Sequence, residues 1–237
     1  ATRIDDTAFS AAANDFDATV EYYTNGETGK LYEINAVLDT GSEIFDNLDI
    51  LLTGCRGFLP RTNGQYALYM DKAQSSAMSL DTSQIVDGIK IVGEKTSNRY
   101  NQVRVTFVNP ENNWQNEQAV WPPKDSTDET TFLSEDNAEL ILDIQMPTCT
   151  NYYAALDFAR VLCLRSRNAK RVAFKATSEA LSLAIPDVVS ITHPTPGFVA
   201  KPFQIESIGL ESDGTCVISC VEYDSSIYAY DNTVEQV

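Results

Sequence analysis

DVVSITHPTPGFVAKPFQIESIGLESDGTCVISCVEY, residues 187–223, decides the fold. Its apolar runs DVVSITH, FQIESIGL and TCVISCVEY are rich in β-branched residues, too short for helices, and recur at roughly ten-residue intervals. Asp213-Gly214 closes the last hairpin. Working backwards, RVAFKA (171–176) and EALSLA (179–184) read as two more strands. From Arg171 onward the spacing therefore predicts a small barrel or sandwich. Upstream lies one long helix, about 151–168, capped by Thr150 or Asn151, with Tyr152, Ala155, Leu156, Ala159 and Leu162 on one stripe. Segments 88–95, 101–109 and 139–145 have strand character, separated by loops rich in Asn, Trp and Pro.

The first 70 residues have a different texture. Phe9, Ala12, Ala13 and Phe16 sit at helical spacing after Asp5, Asp6 and Thr7. Residues 20–39 read as two strands about an Asn25-Gly26 turn, with Tyr32, Ile34, Ala36 and Leu38 alternating onto one face. Ser42 is the expected cap of the next helix, and Ile44, Phe45, Leu48, Leu51, Leu52 and Cys55 form its apolar stripe. Gly57 is its expected stop, and a second hairpin over 57–71 turns at Asn63-Gly64. Residues 71–84 read as a polar connector, with Asp81 capping a short turn around Ile85. The expected class is α+β, mainly β: a small helix-packed sheet domain at 1–86, then a β-rich, barrel-like domain at 87–237 holding the long helix.

A chain of 237 residues, 43% of them apolar, can bury one large core or two modest ones. No apolar run reaches the roughly 18 residues of a membrane span, and ATRIDDTAFS lacks the features of a signal peptide. A soluble chain without export signal is expected, and a first residue of Ala is compatible with a fragment. Seventeen Lys and Arg against 34 Asp and Glu leave a net charge of −17, which excludes condensation on phosphate backbones or anionic membranes. The charge is uneven. Residues 1–49 hold 11 acids against Arg3 and Lys30, whereas Arg160, Arg165, Arg167, Lys170, Arg171 and Lys175 face only Asp157 between 150 and 175. That basic stretch is either a solvated helix end favoured by the helix dipole or a docking surface for an acidic neighbouring subunit. The docking candidates are Arg160, Arg165, Arg167 and Arg171.

Residues with catalytic promise are few. The one histidine, His193, lies in THPTPGF between two prolines, a rigid turn rather than a base beside a nucleophile. Cys216 and Cys220 stand about 13 Å apart along a strand, too far to bond or to chelate one ion. Five cysteines, an odd number, read as reduced, mostly buried thiols. Adjacent acids occur at Asp5 and Asp6, Asp15 and Asp17, and Glu135 and Asp136, but 34 acids produce such pairs by chance. The reading is of a protein that is not an enzyme, without catalytic, cofactor or metal residues. The alternative is a carbohydrate- or receptor-binding module, using aromatics such as Trp114 and Trp121 beside acids.

Many strings resemble the family of phage tip attachment protein J and related central tail hub proteins. They include RIDDTAFSAAANDFD (3–17), YEINAVLDT (32–40), LLTGCRG (51–57), NGQYALYMD (63–71) and SNRYNQVRVTFVNPENNWQ (97–115). They continue through AVWPPKDS (119–126), TNYYAALDFARVLCLRSRNAKRVAF (150–174), ATSEALSL (176–183), VVSITHPTPGF (188–198) and EYDSSIY (222–228). The resemblance covers nearly the whole chain. It implies a baseplate-hub-like fold and a structural virion protein made in the bacterial host cytoplasm and built into the tail tip. Its implied partners are itself, as a homotrimeric ring, and distal tail and tape-measure-type tail proteins. DNA would meet it only in transit through the channel, with no membrane insertion and no cofactor. Family members are far longer, so receptor contact belongs to parts beyond this segment. One departure is Ile185-Pro186-Asp187, where members often have Pro-Gly-Asp.

Overall fold

The computed structural model describes residues 3–24, 26–62, 64–93, 98–168 and 170–234. Asn25 and Asn63, expected at two hairpin tips, and residues 94–95 of the segment 88–95 lie outside the described residues. The architecture is α+β, mainly β. The chain divides into two compact units, the first made of Ala1–Asp71, Tyr100–Leu164 and Ala229–Val237, the second of Lys72–Arg99 and Arg165–Tyr228. Each unit is discontinuous, a division different from a single cut between residues 86 and 87. The reason is pairing: strands on both sides of residues 100–164 belong to one sheet.

The first unit is organised by a three-stranded sheet and the helix on it. Strand β9 (Gln102–Asn109) pairs antiparallel with β10 (Gln115–Trp121) and parallel with β11 (Ile141–Gln145). Burial alternates strictly along β9, so Val103, Val105 and Phe107 point to one face. Against that core packs α4 (Tyr152–Arg167), whose Ala154, Ala155 and Ala159 let the helix approach closely. Asn151 Oδ1 accepts from Tyr153 N at 2.9 Å, and so secures the start of the helix.

The other elements of this unit are short. Helix α1 (Asp6–Phe16) is capped by Asp5, whose carboxylate accepts from Thr7 N at 3.0 Å and Ala8 N at 3.1 Å. β1 (Thr19–Glu21) pairs with β2 (Thr28–Lys30). Residues 31–43 are not the regular strand expected from alternation, since they make a single bridge, Ile34 to Cys149, and Val37 is fully exposed. Helix α2 (Ile44–Gly54) begins after Glu43, and Ser42 Oγ instead donates to Asp39 Oδ2 at 3.3 Å. Asp39 also accepts from Gly41 N at 2.8 Å, a local turn that diverts Ser42 from capping. The helix stops at Gly54 rather than near Gly57, because Arg56 takes a left-handed φ of 51°. A Cβ at residue 54 would collide with Thr148 Oγ1, which is why glycine stands there. The second hairpin divides into β3 (Gly57–Phe58) with β6 (Tyr69–Met70) and β4 (Arg61–Thr62) with β5 (Gln65–Tyr66).

Two elements of this unit occupy the stretch expected to be loops. One is β10, and the other is α3 (Thr127–Asp136), which buries none of its residues. The last described stretch returns to this unit, where Tyr230 donates its hydroxyl to Tyr22 O at 2.9 Å. The Tyr22 ring stacks on Tyr153 at 5.3 Å between centroids.

The second unit is a six-stranded sheet ordered β7-β13-β14-β15-β12-β8. Its strands are β7 (Ser76–Leu80), β8 (Lys90–Gly93), β12 (Lys170–Ala176), β13 (Val188–His193), β14 (Phe198–Leu210) and β15 (Cys216–Glu222). β7 runs parallel to β13, and the other neighbours are antiparallel. Among the described residues no pairing joins the edge strands β7 and β8 into a closed barrel. β7 lies within the expected connector, and EALSLA contributes a 3-10 turn, Ser178–Ser182, instead of a strand. Ala180 and Leu183, three apart, are its buried residues, a spacing that suits the three-residue turn. Val172, Phe174, Val189, Ile191, Phe203, Ile205 and Ile218 fill the core.

Candidate functional site

The first unit holds an apolar groove of about 400 Å³. α1 contributes Phe9 and Phe16, seven apart on one face, and α2 contributes Leu48, Leu51 and Leu52. Tyr32 and Cys55 also line it. Below them sits a buried polar cluster: Arg56 Nη1 donates to Asp157 Oδ2 at 2.8 Å, and the Tyr32 hydroxyl donates to the same oxygen at 2.7 Å. The guanidinium carbon lies 5.2 Å from the centroid of the Tyr32 ring. Burial, followed by the neighbouring Asp157 charge, pushes the Tyr32 phenol well up. The Cys55 thiol donates to Leu51 O at 3.4 Å, and its burial raises its pKa. The groove is therefore a preformed apolar surface on a rigid base, suited to packing rather than to proton transfer.

The expected docking arginines are spread along the chain. Arg160, on α4 in the first unit, donates from Nη1 to Ala229 O at 2.6 Å. Arg165 Nη2 donates to Gln204 Oε1 at 3.0 Å, and Arg171 Nη2 lies 3.3 Å from Glu206 Oε1, both within the second unit. Arg167 is the last residue of α4 and half-buried. All four are thus oriented by partners in their own chain.

The remaining candidates have structural duties. His193 ends β13, and its Nδ1 accepts from Thr195 N at 3.3 Å. Among the adjacent acids, Asp5 caps α1, Asp17 pairs with Lys30 at 2.5 Å, and Asp136 accepts from Asn101 at 3.2 Å. Trp121 is buried against Phe132 and lines a cleft of about 10 Å³, too small for a sugar ring. Trp114 is exposed, on the turn between β9 and β10. The five cysteines are buried and free, with burial pushing Cys149 up to about 11 and Cys220 up to about 12.

Sequence reasoning did not single out Arg56 or the groove. One signal for the cluster was present: Asp157 is a lone acid among the alanines of an otherwise apolar helix face, which requires a buried partner. No helix among the described residues is long and apolar enough to cross a membrane.

A three-stranded sheet carrying α4 in one unit and a six-stranded sheet in the other define the class as α+β, mainly β. The chain belongs to the phage tail family described as "Putative phage tail protein", whose profile matches residues 51–208. It is 19% identical over 210 residues to the baseplate hub protein pb3 of Escherichia phage T5, covering 88% of this chain and 22% of that protein. The chain thus spans about a fifth of the length of that curated relative. Its fold is similar to that of a chain in the virion of a native gene transfer agent particle, with a TM-score of 0.62 and 16% identity, covering 80% of this chain and 41% of that one. It is also similar to the 43 kDa tail protein of prophage MuSo2 from Shewanella oneidensis, with a TM-score of 0.50 and 15% identity, covering 82% and 56%.

Proposed function

We propose that this chain is a structural segment of a phage tail hub: three copies form a ring at the tail tip that closes or continues the tail tube and links it to receptor-binding parts. The observation that carries this reading is the family match over residues 51–208, supported by the likeness to a baseplate hub protein along 88% of the chain. Its partners are then two further copies of itself and distal tail and tape-measure-type tail proteins, with DNA passing through. A net charge of −17 suits that passage, because an acidic wall forms no multivalent contacts with phosphates. Part of the acidic excess is accordingly assigned to the lumen.

Arg160, Arg165, Arg167 and Arg171 are the proposed subunit-docking residues. A guanidinium has five N–H donors, so bonds within its own chain can orient it towards a neighbour without exhausting it. A reconstruction of the tail tip should place three copies of this chain about the axis, with a negative channel; a single copy, or a strongly positive channel, overturns the reading. Arg165→Glu with Arg167→Glu should abolish infectious particles. Full assembly and infectivity of that double variant would remove the docking role.

A further inference from the structure

Helix α2 carries a continuous apolar stripe, yet the one residue it buries is Gly54. Leu48, Leu51 and Leu52 are half-buried along the groove, while Ile44 and Phe45, one turn earlier on the same stripe, are 77% and 68% exposed. Val37 and Leu38, in the segment leading to the helix, are exposed as well. An amphipathic helix is normally covered along its stripe, and exposed apolar surface that continues into a groove marks an interaction site.

The charge around this surface selects the occupant. Asp6 on α1 and Glu43, Asp46 and Asp49 at and along α2 are exposed, and neither helix carries a basic residue. Lys30, one of two basic residues among the first 49, is held by Asp17. By helical spacing Asp49, four residues after Phe45, and Asp6, three before Phe9, flank the apolar stripes, and acids beside an apolar groove repel anionic lipid and nucleic acid. A second copy approaching through the same face would set these acids against their own equivalents. The basic end of α4 in a second copy offers no exposed apolar side chain to fill the groove, since every residue of Tyr152–Arg167 whose burial is described is buried or half-buried.

We propose that the groove between α1 and α2 receives a cationic amphipathic helix of a different protein, its apolar stripe on Leu48, Leu51, Leu52 and Phe45 and its Lys or Arg flanks against Asp49 and Asp6. This rests on the first unit alone and stands apart from the ring proposed above.

The test uses the full chain and a labelled peptide of about 18 residues, long enough to hold a helix, with Leu on one face and Lys on the other. Controls are a Leu/Glu peptide of the same pattern and a scrambled Leu/Lys peptide without a face. By fluorescence anisotropy the patterned Leu/Lys peptide should bind at least about tenfold more tightly than either control. Ile44→Ser with Phe45→Ser, and separately Asp49→Lys, should each weaken it by about fivefold or more, with unchanged thermal melts. Exposed positions are chosen so that folding is spared. Equal binding of the scrambled peptide, no binding at all, or insensitivity to both variants overturns the proposal. So would a dimer in sedimentation velocity that Ile44→Ser with Phe45→Ser dissolves, which would make a second copy the occupant. Loss, with the same variant, of co-sedimentation with phosphatidylcholine and phosphatidylglycerol vesicles would make it a membrane.

Discussion

At Asp157 two donors converge on one carboxylate oxygen in a site nearly closed to water, with side-chain exposures of 7% for Arg56 and 4% for Asp157. Such a pair is costly to break because removal of one member strands the other's charge, even where its net contribution to stability is small. Asp157→Ala should lower the unfolding free energy by about 3–5 kcal/mol in denaturant titration. Asp157→Leu combined with Arg56→Met should cost less than Asp157→Ala alone, since no charge is then stranded. The cysteines give a second prediction at this scale. Cys149 and Cys220 have folded-state values pushed up to about 11 and about 12 by burial, against 9.0 when unperturbed. A raised value means the folded state holds the proton longer, so the stabilising contribution is fully present below pH 9.0 and is lost as pH rises towards those values. Stability should therefore fall between those limits with a slope of about 1.4 kcal/mol per pH unit for each thiol. Cys220→Ala should remove one such increment from the slope measured by denaturant midpoints; an unchanged slope would show that this thiol does not contribute.

Helix α3 buries no residue fully and meets the core through half-buried Phe132, so its ends carry much of its stability. Ser126 Oγ accepts from Glu129 N at 3.2 Å, and Glu129 Oε2 accepts from Asp125 N at 2.6 Å. Ser126→Ala should cost about 1 kcal/mol and speed amide exchange across residues 127–136, with exchange in β9 unaffected. The same helix explains what could be read from sequence. α4 and β9 were legible because period and burial coincide there: alanines recur on one helical face, and Val103, Val105 and Phe107 alternate. α3 has one half-buried apolar residue, Phe132, too few to leave an apolar period, and its clearer signal was the cap, Ser126 with Glu129 three residues on. Residues 32–38 misled in the opposite way, since alternating apolar residues describe a strand only if something lies against one face, and past Tyr32 that face is open, with Ile34, Ala36 and Leu38 all exposed. The groove was invisible for a related reason. The stripe on α2 was plain in the sequence, but periodicity cannot tell whether the chain itself covers a stripe or leaves it for a partner.

For the whole molecule, the excess of negative charge opposes compactness at low salt, and ion pairs such as Lys30–Asp17 and Lys175–Glu211 relieve it only locally. Raising NaCl from about 10 to about 150 mM shortens the screening length from about 30 Å to about 8 Å. Calorimetry should then show the melting temperature rising by about 2 to 4 °C, as for a gain near 1 kcal/mol at this size; a fall would show that the ion pairs outweigh the self-repulsion. The bond from Tyr230 to Tyr22 joins residues 208 apart in sequence. On a ribosome adding about 5 to 20 residues per second, Tyr22 waits about 10 to 40 s for that partner to be made. The first unit is therefore left incomplete until residue 230 is made, while the second unit's strands emerge between its pieces.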